Sequence, residues 1–127
     1  MTKRGAAAIA AALILSACSG QMMADKGKKP PNMAHVHMGH VLTGWKDTPD
    51  KKGLLPTAMA EAKIAKTHVG LALKQPSNLK WLKLHTGHVL HAVDPSVEPK
   101  GPGLGYGVMK AATGVAAHVN FAAGSDG

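Results

Sequence analysis

The chain has 127 residues, 45% of them hydrophobic but only 3% aromatic, with fifteen Lys+Arg against seven Asp+Glu. That length holds one small domain, and the Ala-rich, aromatic-poor composition predicts slim, closely packed helices in place of a large aromatic core. The net charge of +8 is scattered and lacks the stacking aromatics of a nucleic-acid face, and the single cysteine excludes an internal disulfide, a Cys-based zinc site and haem attached through Cys-x-x-Cys-His.

Residues 1–17 read as a targeting segment. Lys3 and Arg4 precede the apolar run from Ala6 to Leu15, which falls short of the roughly twenty residues a spanning helix needs. The run ends in Leu15-Ser16-Ala17-Cys18, which resembles the lipobox of bacterial lipoproteins. The resemblance implies a diacylglycerol on the Cys18 thiol and a mature chain that begins there, anchored on the periplasmic side. Ser19 after the cysteine, in place of Asp, implies the outer membrane. Residues 18–32 are polar and Lys-rich, carry Pro30-Pro31, and read as a tether from lipid to domain. Met22 and Met23 within it read as linker residues, not copper ligands.

Residues 33–124 read as an all-α, up-down four-helix bundle made of two duplicated helical hairpins. The first helix is expected from Met33 to Trp45, behind Asn32 as N-cap. A turn around Thr48-Pro49-Asp50 leads to a second helix from Leu55 to Gln75, with Pro56 in its first turn and Pro76 beyond its end. The third is expected from Asn78 to Val93, before Asp94-Pro95. A Pro/Gly-rich loop then leads to a fourth, Leu104 to Ala123, closed by Gly124.

One stretch occurs twice, as HMGHVL from His37 to Leu42 and HTGHVL from His85 to Leu90. The register holds without a gap to Gly53 and Gly101. The identical pairs are His37/His85, Gly39/Gly87, His40/His88, Val41/Val89, Leu42/Leu90, Lys52/Lys100 and Gly53/Gly101. Each copy later supplies one more His-Val pair, His68-Val69 and His118-Val119, so residues 37–75 and 85–123 read as a repeated unit. At 100° per residue His37, His40, His68, His85, His88 and His118 all fall on the apolar stripes of their helices. His35 and His91 fall off these stripes and read as peripheral. The glycines beside the histidines suggest close approach or room.

A buried polar group without a partner costs about 1–3 kcal/mol. Six buried imidazoles with almost no carboxylate or amide nearby therefore call for a shared partner, and a metal ion is the economical one. Spacing of i, i+3 brings two rings within reach of one ion. An all-imidazole set suits copper, nickel, zinc or haem iron, and not calcium or magnesium. Di-iron carboxylate bundles need further glutamates, whereas Glu61 is the only one on an inward stripe. Three histidines per half allow two three-coordinate sites or one mixed site, with His35, His91 and Glu61 as peripheral candidates.

Thr67-His68-Val69-Gly70 and His85-Thr86-Gly87-His88 resemble elements of the small His-rich metal-binding proteins of the bacterial periplasm. That resemblance implies reversible binding of a divalent metal, copper foremost, without catalysis. No inward Ser or Cys nucleophile is present, so no enzyme is expected. Two other readings stay open. One is an electron carrier with b-type haem between two histidines; the other is a structural or pH-responsive envelope lipoprotein.

Overall fold

The computed structural model describes residues 32–126, so the targeting segment, Cys18 and nearly all of the tether lie outside it. The described chain is all-helical: α1 is Met33–Leu42, α2 Leu54–Ala72, α3 Leu79–Val93 and α4 Val108–Ala123. They form a four-helix bundle, and none is long and apolar enough to cross a membrane.

The expected caps are present. Asn32 accepts from the Ala34 N–H at 2.8 Å, and Asn78 accepts from the Trp81 N–H at 3.1 Å, each satisfying a donor the helix itself cannot. Three helices are shorter than expected: α2 ends at Ala72, three residues before Gln75, and α1 and α4 are cut short for local reasons. At the end of α1 the N–H groups of both Thr43 and Gly44 turn back to the Gly39 carbonyl, and Trp45 donates to Lys52 instead. Residues 104–107 do not begin α4, because Gly105 and Gly107 adopt φ of 71° and 85° and a buried carboxylate holds this loop open. That carboxylate is Glu61, 0% exposed, which accepts from the N–H groups of Leu104, Tyr106 and Gly107 at 3.1, 2.9 and 3.0 Å. Gly107 is the N-cap of α4 and has no side chain to offer. Glu61 thus supplies the acceptor and the negative charge that a helix N-terminus favours.

The helices are not all equal neighbours. Packing is most extensive between α2 and α3, α1 and α4, and α2 and α4, and sparse between α1 and α2 or α3 and α4. The central pair is therefore α2 with α4, flanked by α3 on α2 and α1 on α4. Exchanging α1 with α3 and α2 with α4 leaves this scheme of neighbours unchanged. Each helix packs mainly across the boundary between the two sequence copies, not within its own.

The apolar core is small: Leu54, Ala58, Tyr106 and Ala111, with Trp45 and Val115 against it. Small residues let the central helices meet closely, and a Cβ at Gly114 would lie 2.9 Å from Leu54 Cδ2. The repeated glycines Gly53 and Gly101 serve one purpose in both copies. A Cβ at Gly53 would lie 2.6 Å from the Leu42 carbonyl carbon, and one at Gly101 would lie 2.6 Å from His91 Cβ. Each lets the chain after a flanking helix fold back onto that helix. Gly39, Gly70 and Gly87 meet nothing within 4 Å, so close approach is not their reason, and nothing in the packing explains them.

Candidate metal centres

The bundle gathers the six inward histidines into two groups of three. His37 and His40 on α1 meet His118 on α4; His85 and His88 on α3 meet His68 on α2. Within each triad one ligand atom per residue lies within 4.8 Å of the others, so each triad can hold a metal ion. Each pairs the His-x-x-His of one sequence copy with the lone histidine of the other.

This exchange follows from the packing. The i, i+3 spacing sets two imidazoles on one face of α1 or α3. That face meets a central helix, and the central helix against α1 is α4, not α2. His85 and His118 are 5% and 9% exposed, while His37, His40, His68 and His88 are half-buried.

Three of the nitrogen separations match neighbouring ligands of one ion. His68 Nδ1 lies 2.9 Å from His85 Nδ1 and 3.3 Å from His88 Nδ1, and His37 Nδ1 lies 3.0 Å from His118 Nδ1. Two ligand bonds of about 2.0–2.1 Å at angles between square and tetrahedral place their nitrogens about 2.9–3.4 Å apart. Ring nitrogens around one point can share one proton or one cation. One further ring nitrogen in each triad, His40 Nδ1 and His85 Nε2, is buried with no hydrogen-bond partner.

The lone histidine is electrostatically distinct in both triads. Burial first, then His88 and His85, hold His68 below the ordinary histidine value of 6.5. Burial first, then His40 and His37, do the same to His118. Both effects favour the neutral imidazole, which is the form that ligates a metal.

A tryptophan packs edge-on against each triad. Trp81 lies 4.3 Å from His85 between ring centroids and donates from Nε1 to the Leu71 carbonyl at 2.6 Å. Trp45 lies 4.7 Å from both His40 and His118. The first shares the helical stripe of its histidines. The second does not: it follows α1 and is brought back by the turn in which Thr48 Oγ1 donates to the Trp45 and Lys52 carbonyls. Phe121 adds an exposed ring 5.3 Å from His37.

The three peripheral candidates join neither triad. His35 is exposed on α1. Glu61 commits both oxygens to the loop before α4. His91 is buried, not at the periphery, and donates from Nδ1 to the Glu98 carbonyl at 2.8 Å. It stands 120° around α3 from His85, though only one i, i+3 step from His88, and the 95–103 loop covers it. No family model, curated protein or solved structure matches the chain.

Proposed function

We propose that the protein binds two transition-metal ions, one in each histidine triad, and serves as a metal-binding or buffering protein, not as an enzyme. The observation that carries this reading is the pair of three-histidine clusters, each with ligand atoms within 4.8 Å of one another. Copper is favoured because it heads the affinity order at nitrogen sites, with nickel and zinc as the other fitting ions. Three protein ligands leave a position open to water or to a small exchanging ligand. In this reading the ion is cargo held reversibly by neutral imidazoles. The lipobox resemblance sets the domain on a tether from lipidated Cys18, on the periplasmic side of the outer membrane.

The same separations support an ion over haem. A haem ligated by two imidazoles keeps the ligating nitrogens apart across the whole macrocycle, whereas His68 meets His85 and His88, and His37 meets His118, at 2.9–3.3 Å. The test is stoichiometry. Calorimetry with copper or zinc at neutral pH should give two ions per chain, and one for the His85→Ala/His88→Ala double variant. Two ions retained by that variant would sink the assignment, and His35→Ala, an exposed imidazole outside both triads, should change nothing.

A further inference from the structure

The charge on the described surface is unevenly placed. Between residues 54 and 93 the charged side chains are Lys63, Lys66, Lys74, Lys80, Lys83 and Glu61. Glu61 is fully buried, while all five lysines are exposed. The described ion pairs lie elsewhere, Lys52 with Asp50 and Lys110 with Asp47. The exposed charge of the α2–α3 hairpin is therefore entirely positive and, among the described residues, unpaired. Lys63, Lys66 and Lys74 line one groove along α2, floored by Gly70 and Leu71.

The tip of the same hairpin is apolar. Leu73 and Leu79 flank the turn at 70% and 64% exposure, each followed directly by a lysine, Lys74 and Lys80. Exposed leucines beside exposed lysines at one end of the hairpin are the two components of an interfacial membrane contact. The leucines enter the acyl boundary, while the lysines lay their stems along it and keep their ammonium groups at the headgroups. An acidic protein would use the lysines but has no need of two leucines at the tip.

From this juxtaposition we infer that the α2–α3 hairpin docks on an anionic lipid surface, tip first, with Leu73 and Leu79 inserted and the lysines against the headgroups. The contact belongs to the folded domain and is separate from both histidine triads. It requires neither metal nor the N-terminal anchor. Each lysine near an anionic surface strengthens attraction roughly fivefold, and the attraction falls with salt.

The experiment uses the chain from residue 18 onward carrying Cys18→Ser, so that neither the targeting segment nor an attached lipid contributes, with sedimentation on vesicles of phosphatidylglycerol mixed with phosphatidylcholine. The unmodified surface should bind these vesicles and not pure phosphatidylcholine. Lys74→Gln/Lys80→Gln should weaken binding about 25-fold, and Leu73→Ser/Leu79→Ser about tenfold. Lys46→Gln/Lys100→Gln, which removes equal charge away from the hairpin, should cost no more than about threefold. All substituted positions are exposed, so helicity by circular dichroism should stay unchanged and isolates the surface effect. Equal losses from the hairpin and control lysine pairs would overturn the inference, as would equal binding to phosphatidylcholine alone. Unweakened vesicle binding by the leucine variant, with polyglutamate held as tightly as vesicles, would make the face an acidic-peptide site and overturn the lipid.

Discussion

The two triads each join three histidines but close very different lengths of chain. His68 meets His85 and His88 across separations of 17 and 20 residues, through one short turn. His37 meets His118 across 81 residues, between the first helix and the last. The first is a property of a hairpin and the second a property of the whole bundle. Identical ligand sets thus carry different dependence on the fold. The α2–α3 triad needs two helices adjacent in sequence to pair, whereas the α1–α4 triad needs the two ends of the bundle to meet.

Acid is the perturbation to which the triads should respond alike, and with the largest effect, because it empties both. His68 and His118 are each held below 6.5 by burial and then by their two triad partners. A histidine depressed in the folded state contributes stability that is present above its unfolded value and is lost as pH falls through the folded one. Protons also compete with the ion for the same nitrogens. Both effects act in one direction, so bound metal and metal-free stability should fall together as pH drops from 6.5 towards 4. A titration at fixed total copper, with urea midpoints on the metal-free protein, checks this. Retention of either ion at pH 4 would contradict histidine ligation.

Exchange of the lone histidines separates the triads next. His118→Ala should cripple the site of His37 and His40 and spare that of His85 and His88, although His118 follows the latter pair in its own sequence copy. His68→Ala should do the reverse. Each should leave one tight ion per chain and weaken the other at least about a hundredfold, as expected when one of three ligands is lost. Trp45→Phe and Trp81→Phe make the result site-resolved. The remaining indole lies beside one triad only, and its fluorescence follows copper binding there. Quenching of Trp81 lost in His118→Ala, with that of Trp45 retained, would reverse the pairing.

That pairing marks the limit of what could be read from the sequence. The 100° periodicity places all six histidines on inward faces, because helical phase is local and each face is set by its neighbouring apolar residues. Which face meets which is set by the packing of α2 on α4, and no periodicity encodes it. Trp45 escaped notice because it reaches the site from a turn, not from a stripe. Glu61 was legible as an inward carboxylate, but its three N–H partners lie in a glycine loop distant in sequence. Its resemblance to a spare metal ligand was therefore a matter of face alone. His91 shows the converse: it lies one i, i+3 step from His88, yet loop 95–103 takes it up and buries it outside the triad.

Glu61 offers an intermediate test of the contrast between hairpin and bundle. Removing its carboxylate strips three buried N–H groups of their acceptor, and each such loss costs about 1–3 kcal/mol. Glu61→Ala should therefore lower stability by at least about 3 kcal/mol, a large part of what a small domain has. The damage falls at the start of α4, the helix that carries His118. Copper affinity at the α1–α4 triad should drop more than at the α2–α3 triad, whose turn does not involve the 104–107 loop. Calorimetry alongside urea unfolding measures both, and equal losses at the two sites would remove the asymmetry.

The smallest effect concerns what each ion does for the fold. A saturating ion stabilises a protein by the difference between its affinities for the folded and the unfolded chain. In the unfolded chain the three histidines must first be gathered, at an entropic cost that rises as (3/2)RT ln n with loop length. Closing 17–20 residues is cheaper than closing 81 by about 1 kcal/mol. The unfolded chain therefore retains the ion of the α2–α3 triad more readily, which subtracts from the stabilisation that ion confers. His37→Ala/His40→Ala keeps only the local site, and His85→Ala/His88→Ala only the long-range one. At saturating zinc, and after correction for their native affinities, the second variant should gain about 1 kcal/mol more in unfolding free energy than the first. Equal gains would mean that the unfolded chain binds neither set of histidines, and that loop length has no bearing on how the two sites differ.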